Sequence, residues 1–141
     1  MGGEARNLKI NEQRTHKLAS EKLVGIPVSI EEGRAEVVLR TNEEMVVDEY
    51  GLIHGGFTFG LADYAAMLAV NEPNVVLWKA DVTFTKPVKL GEEMMARAEV
   101  KMSEGKKRIV DVEVETCRGI VFTGRFICYV PETHVLRRKE G

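Results

Sequence analysis

The sequence predicts an α+β fold in which a curved antiparallel sheet wraps around one long central helix. Leu52–Asn71 stays apolar for about four helical turns, and its apolar side chains cover every side rather than one stripe, as in a buried helix. After Pro73, four segments alternate apolar and polar residues, which is typical of antiparallel strands with one face in water. Such strands can surround a single helix only if the sheet curls around it.

The composition indicates one domain and excludes several function classes. The 141 residues suffice for one hydrophobic core, and a net charge of −2 gives no basic excess that would favour nucleic acid as a partner. The apolar helix is too short, and too rich in alanine and glycine, to span a membrane. Cys117 and Cys128 lack metal-ligand spacing, and we expect no signal peptide because the first apolar run comes late and is flanked by charge. We therefore expect a cytoplasmic protein with a single domain over 1–141, flexible tails at 1–9 and 132–141, and no metal or cofactor.

The residues before the central helix predict a short helix followed by a hairpin. Asn11–Leu23 shows a weak helical pattern, with Leu18 and Leu23 as its inward contacts. A strand around Val24–Ile30 contains Pro27, which suits an edge strand. The next strand places three apolar side chains inward, namely Ala35, Val37 and Leu39.

The residues after the central helix predict a meander of four sequential strands. These strands are Val75–Val88, Glu92–Met102, Lys107–Thr116 and Ile120–Val130. The inward face of the first carries Trp78, Ala80, Val82 and Phe84, and that of the second carries Met94, Ala96, Ala98, Val100 and Met102. In the last strand Gly124 is expected to mark a bulge or a close approach.

One residue of the central helix does not fit a buried apolar element. Asp63 lies near its middle, and a carboxylate taken out of water without partners costs several kcal/mol. Either a neighbouring group satisfies Asp63, or the carboxylate lies at a crevice that a ligand reaches.

Two motifs in the chain carry a family resemblance. At the helix the sequence reads His54-Gly55-Gly56, followed by Phe59, Leu61, Ala62 and Asp63; in the first later strand it reads Phe84, Pro87, Val88 and Gly91. These motifs resemble those of the hotdog-fold acyl-CoA thioesterases, most closely the PaaI-like branch of phenylacetic acid degradation. The resemblance implies a helix wrapped by a curved sheet, dimers whose sheets join, and thioester hydrolysis at the dimer interface.

The resemblance also implies roles for individual residues. The catalytic carboxylate of the family corresponds to Asp63, and the backbone amide that polarises the carbonyl corresponds to Gly56. We include His54 in the catalytic set, although a helix-start role in which it bonds to backbone is the favoured interpretation. Asp48 stands where the family often has asparagine. The residues expected to contact substrate are Gly55, Asp48, Phe57 and Met67.

The chemistry of these residues suits a thioester. A helix N-terminus offers free N–H groups and partial positive charge to an oxyanion, and glycines there allow close approach of a ligand. An acid in apolar surroundings has a raised pKa, so Asp63 can act as a general base on water or attack the thioester directly. The sequence does not separate these two routes.

The spacing of the two groups predicts a shared site. Gly56 and Asp63 lie seven residues apart, which is about 10 Å along a helix, whereas both must reach one carbonyl. Two antiparallel helices related by a two-fold axis bring the start of one beside the middle of the other. We therefore expect a homodimer with composite sites that bind acyl-CoA, and a tetramer of such dimers remains open.

Two other functions compete with hydrolysis. A non-catalytic acyl-CoA sensor is one, because the region from Lys79 to Tyr129 also resembles the ligand-binding domain of bacterial repressors of fatty-acid synthesis. Only about twenty residues precede the first strand, which is too few for a helix-turn-helix module. Such sensors are also expected to carry an amide where this chain has Asp63. A hotdog dehydratase is a weaker alternative, because its histidine and acid motifs are not matched.

Overall fold

The computed structural model describes residues 10–137, so the predicted tail at 1–9 and the last four residues of the predicted tail at 132–141 lie outside the described residues. In chain order the elements are β1 (Ile26–Glu31), β2 (Arg34–Arg40), α1 (Gly55–Val70), β3 (Val76–Phe84), β4 (Glu93–Glu104), β5 (Lys107–Thr116) and β6 (Gly119–Tyr129). Short 3-10 turns lie at Glu43–Met45 and at Val135–Arg137, the second of them within the predicted C-terminal tail.

One antiparallel sheet contains all six strands, in the order β1-β2-β4-β5-β6-β3. Every strand contacts α1, so the sheet curves around the helix as predicted. The helix is buried on most of its circumference, and its fully buried side chains are Leu61, Ala62, Ala65, Ala66, Met67 and Leu68. The predicted architecture of a buried helix inside a curled sheet is therefore confirmed.

The predicted four-strand meander is wrong in one place. Strands β4, β5 and β6 pair sequentially, but β3 lies at the far edge of the sheet beside β6. The residues between β3 and β4 do not form a tight hairpin, because they bond to the segment that precedes α1. The Ile53 N–H donates to the Val88 carbonyl oxygen at 2.9 Å, and the Leu90 N–H donates to the Gly51 carbonyl oxygen at 2.8 Å.

Irregular pairing changes which side chains face the core. In β3 the register shifts between Leu77 and Lys79, so Leu77 packs against the core and Trp78, predicted inward, is 68% exposed. A second shift in β4 leaves Met102, also predicted inward, 51% exposed. Gly124 does mark a close approach, since a Cβ there would lie 2.7 Å from a methyl carbon of Val82.

The short helix predicted over Asn11–Leu23 is absent, and the segment forms bends and turns. Its backbone groups bond outward: the Asn11 N–H donates to the Ile30 carbonyl oxygen, and the Asn71 side chain bonds the backbone at Glu12 and Arg14. His16 has a left-handed φ of 55°, which interrupts any helix. Leu18, predicted inward, is 99% exposed, whereas Leu23 packs against the core.

Candidate functional site

The start of α1 is held by backbone hydrogen bonds to the 3-10 turn Glu43–Met45 and to the residues between β3 and β4 rather than by a side-chain cap. The His54 N–H donates to the Met45 carbonyl oxygen at 2.9 Å, and the adjacent Ile53 N–H bonds Val88. His54 occupies the N-cap position and makes no side-chain hydrogen bond to the first turn. The first N–H groups of a helix have no partner within the helix, so this end presents donors and partial positive charge.

Two aromatic rings lie against the glycines of the first turn. A Cβ on Gly55 would lie 3.2 Å from the ring of Phe84, and a Cβ on Gly56 would lie 3.1 Å from the ring of His54. The His54 ring also meets Phe57 edge-on, with centroids 6.2 Å apart. Glycine at both positions therefore lets the rings approach the backbone closely, and Gly56 itself is exposed.

A shallow cleft of about 310 Å³ lies beside this helix start. Its lining comprises Leu52, Ile53, Gly55, Phe84, Thr85, Lys86, Pro87 and Val88. A larger depression on the outer face of the sheet is lined by charged side chains, among them Arg97, which pairs with Glu36. That outer depression does not include the residues of α1, so the cleft is the better candidate for ligand contact.

Among the buried side-chain nitrogen and oxygen atoms of residues 10–137, one oxygen of Asp63 is the only atom found without a hydrogen-bond partner. Its Oδ1 atom is buried and accepts no hydrogen bond. Burial raises the pKa of Asp63 from 3.8 to about 6, because the charged form loses hydration. Buried polar atoms nearly always have partners, so an orphaned carboxylate oxygen points to a ligand or a second chain.

Cys128 of β6 is an ionisable side chain whose pKa is affected by the charge of Asp63. Burial raises the pKa of this thiol to about 12, and the negative charge of Asp63 adds to the effect. The thiol is therefore neutral near pH 7. The closeness of Cys128 to Asp63 depends on how β6 packs against α1, which the sequence pattern alone does not predict.

The single chain does not bring Gly56 and Asp63 to one point. Both lie on the regular helix α1, so seven residues separate them by about 10 Å. Because a carbonyl must touch both groups within hydrogen-bond reach, one protomer contains only half of each predicted site.

The remaining predicted residues lie in different surroundings. Asp48 is exposed, and its Oδ1 accepts hydrogen bonds from the N–H groups of Tyr50 at 2.9 Å and Leu52 at 3.1 Å, so it shapes the loop before α1. Phe57 is half-buried against the core, while Met67 is fully buried within it. Contact of these side chains with substrate stays a prediction.

Sequence reasoning missed Phe84 as part of the site. Phe84 was placed on the inward face of β3, but it lies at the end of that strand against Gly55 and is 52% exposed. Its motif with Pro87 was the available signal.

Within residues 10–137 no group of three or more His, Cys, Asp or Glu side chains is arranged to hold a metal ion. No helix in the same range is long and apolar enough to cross a membrane.

Comparison with known proteins adds family information to this geometry. A family model described as the thioesterase superfamily matches residues 50–122. Methylthioribose-1-phosphate isomerase of Aquifex aeolicus is 52% identical over 113 residues, which are 80% of this chain and 25% of that protein. Transcription factor FapR of Caldanaerobacter subterraneus subsp. tengcongensis is 25% identical over 130 residues, 92% of this chain and 65% of that protein. The chain thus spans less than two thirds of either relative.

Solved structures confirm the predicted hotdog fold. An uncharacterized protein from Pyrococcus horikoshii is 63% identical, with a TM-score of 0.88, covering 89% of this chain and 97% of that one. The PaaI protein from the Escherichia coli phenylacetic acid degradation operon is 24% identical, with a TM-score of 0.72 over 79% and 83% of the two chains. A Streptococcus mutans protein bound to acetyl CoA is 22% identical, with a TM-score of 0.74 over 84% and 97%. The last two likenesses show the fold alone.

Proposed function

The chain belongs to the thioesterase superfamily, and from this membership we propose that it hydrolyses acyl-CoA thioesters to the free acid and CoA. The observation that carries the proposal is the orphaned oxygen of Asp63, a buried carboxylate oxygen with no hydrogen-bond partner. A structural carboxylate is normally paired, whereas a catalytic one must stay available to water or to a carbonyl carbon. We place the protein in the PaaI-like branch and in the cytoplasm.

The Gly56 amide polarises the thioester carbonyl. As a nucleophile adds to the carbonyl carbon, negative charge develops on the oxygen, and the N–H groups at the start of α1 stabilise it. Gly56 is exposed, which allows that oxygen to reach its N–H group. One such donor is worth about 3 kcal/mol of barrier.

Asp63 supplies the nucleophile by one of two routes. As a general base it takes a proton from water while the hydroxide adds to the carbonyl carbon; the tetrahedral intermediate then expels the CoA thiolate, which receives that proton. As a nucleophile its carboxylate attacks the carbonyl carbon, the C–S bond breaks and CoA leaves as the thiolate, which gives an anhydride of Asp63 and the acyl group. Water then cleaves the anhydride to the free acid and the Asp63 carboxylate, and the proton released in that step goes to the CoA thiolate. A pKa of about 6 leaves the carboxylate ionised near neutral pH, as both routes require.

The functional unit in this proposal is a homodimer with two composite sites. Gly56 of one protomer and Asp63 of its partner meet at one carbonyl, because antiparallel helices place the start of one beside the middle of the other. Strand β3 supports this arrangement, since it ends the sheet and leaves one side for pairing with a second copy. Tetramers built from such dimers are compatible with the same sites.

A substrate screen tests the proposed function. Wild type, Asp63→Asn and Glu113→Gln are assayed with straight-chain acyl-CoAs of increasing length and with aryl-CoAs. Glu113 is an exposed carboxylate of β5 and serves as the control. We expect wild type and Glu113→Gln to hydrolyse at least one class, and Asp63→Asn to lose at least about 100-fold in kcat, as general acid–base catalysis contributes 10²–10⁴-fold. A fully active Asp63→Asn protein removes Asp63 from the mechanism.

The second candidate function is a non-catalytic acyl-CoA sensor. It is favoured by the similarity to FapR transcription factors, which extends over 92% of this chain. The same screen separates the two functions. Saturable acyl-CoA binding by wild type without turnover of any thioester supports the sensor, and release of CoA with saturation kinetics supports the hydrolase.

A further inference from the structure

We propose that Arg118 is a positioning residue, which fixes the position of the first turn of α1 and thereby orients the Gly56 amide toward the substrate carbonyl. The proposal rests on the hydrolase function proposed above. Arg118 lies in the turn between β5 and β6, on a different part of the chain from Gly56 and Asp63. It acts through the loop 85–92 and touches neither group directly.

Arg118 forms hydrogen bonds with that loop at two points, Glu92 and Pro87. Its Nε donates to Oε2 of Glu92 at 2.7 Å and its Nη2 donates to Oε1 at 2.9 Å, which is a two-pronged pairing with one carboxylate. The same Nη2 donates to the Pro87 carbonyl oxygen at 2.9 Å. The guanidinium therefore spans the loop from its beginning to its end, and a lysine could not reproduce that geometry fully.

Further hydrogen bonds close the loop around this pairing. Oε1 of Glu92 accepts the Lys89 N–H at 2.7 Å. The Thr41 hydroxyl donates to the Glu92 carbonyl oxygen at 2.7 Å and accepts the Gly91 N–H at 2.8 Å. Of these bonds, the one from the Lys89 N–H requires the Glu92 carboxylate, so the pairing of Arg118 with Glu92 is coupled to the backbone of the loop.

The loop in turn carries the residues that lead into α1. The Ile53 N–H donates to the Val88 carbonyl oxygen and the Leu90 N–H donates to the Gly51 carbonyl oxygen, and these two hydrogen bonds pair Leu52 with Lys89 as an antiparallel bridge. We call these two hydrogen bonds the start ladder. Ile53 is buried, with 4% of its surface exposed, and is separated from Gly55 by a single residue. Displacement of the loop therefore displaces the first turn of the helix.

The start of α1 is held mainly by backbone hydrogen bonds of the residues that precede it. His54 gives no side-chain cap, and Gly55 and Gly56 have no Cβ atoms to pack. The position of the Gly56 amide therefore depends on the start ladder on one side and, on the other, on the bonds of the His54 N–H to Met45 and of the Val47 N–H to Leu52. Reacting groups are sensitive to such shifts, since a displacement of about 1 Å can lower a rate by about 100-fold.

The test compares Arg118→Ala and Arg118→Lys with a matched control, Arg125→Ala. Arg125 makes the same kind of two-pronged pairing, with Asp111, at 2.8 and 3.2 Å, and is likewise partly exposed. We expect Arg118→Ala to lower kcat by about tenfold or more while KM changes by less than about twofold, because the oxyanion contact forms in the transition state. Arg118→Lys should recover part of kcat, and Arg125→Ala should keep wild-type kcat. Wild-type kcat in Arg118→Ala, or an equal loss in Arg125→Ala, overturns the proposal.

A second measurement separates this proposal from the hydrolase function. The backbone amide signals of Gly55 and Gly56 and their hydrogen-exchange rates are measured by NMR in all four proteins. In Arg118→Ala we expect both amide signals to shift and their hydrogen exchange to become faster, whereas neither should change in Arg125→Ala. This expectation holds even if wild type hydrolyses no thioester. Inactivity of wild type then counts against the hydrolase alone, and unchanged Gly56 signals in Arg118→Ala count against the positioning role alone.

Discussion

Replacing Asp63 by asparagine should make the protein more stable at neutral pH. The buried carboxylate has its pKa raised from 3.8 to about 6 by loss of hydration. The folded state therefore binds this proton more tightly than the unfolded state, so unfolding free energy falls as pH rises between these two values and stays low above about pH 6. Asparagine mimics the protonated form and cannot ionise, so the unfolding free energy of the Asp63→Asn protein should not fall in this pH range.

The magnitude follows from the two pKa values. Each pKa unit corresponds to about 1.4 kcal/mol, so the displacement from 3.8 to about 6 amounts to about 3 kcal/mol of unfolding free energy. Below pH 4 the ionisation of Asp63 should contribute little to the difference in unfolding free energy between the two proteins. Above pH 7 the Asp63→Asn protein should be more stable than wild type by up to this amount. An asparagine amide without a hydrogen-bond partner would lower the unfolding free energy of the variant by the same amount at every pH and so remove part of the gain.

Denaturant unfolding of both proteins at pH 4, 5, 6, 7 and 8, at one protein concentration, measures the difference. The control is Asp81→Asn, because Asp81 is an exposed carboxylate on β3. We expect the stability difference between wild type and Asp63→Asn to grow through pH 4–7, and that for Asp81→Asn to stay flat. Parallel curves for wild type and Asp63→Asn would refute the argument that Asp63 ionises in a poorly hydrated place.

Three further predictions concern two residues of helix α1 and one glycine of β6. The kcat/KM of the hydrolase should fall below about pH 6 as Asp63 protonates and reach a plateau above it, which a pH–rate profile with the best substrate of the screen measures. Gly60→Ala should stabilise the fold by up to about 1 kcal/mol, because a Cβ at Gly60 meets no atom within 4 Å and alanine favours helices. Gly124→Ala should instead destabilise it, because a Cβ there lies 2.7 Å from Val82; thermal unfolding of the two variants would show shifts of opposite sign.

The features that were predicted correctly are those that depend on local pattern. The all-round apolar run of α1 could only be buried, and the alternation of Val110, Val112 and Val114 placed β5 with one face inward, where all three are buried. The hairpin of β1 and β2 also follows from short-range pattern and turn residues. These features depend on periodicity, which one sequence contains in full.

The features that were not predicted depend on pairing between distant segments. The bulge that turns Trp78 outward is set by the register of β3 against β6. The edge position of β3 results from bonds between the loop 85–92 and the residues before α1. The absent helix over Asn11–Leu23 also involves a distant segment, since the Asn71 side-chain amide donates to the Glu12 carbonyl oxygen, which a helix would have used internally. Such competition between partners is not encoded in local periodicity.

Helix α1 combines three features that stability alone would not favour. An ionisable acid at Asp63 is unpaired, His54 gives no cap although capping side chains are worth about 1 kcal/mol, and Gly60 stands mid-helix at a further cost of about 1 kcal/mol relative to alanine. Gly56, Gly60 and Asp63 are spaced by four and three residues, so they share one face. Locally unfavourable choices concentrated on one face are expected where a site needs them. Here they leave free amides, open backbone and an available carboxylate on a single helix, which is what a thioester and a second copy of that helix would require.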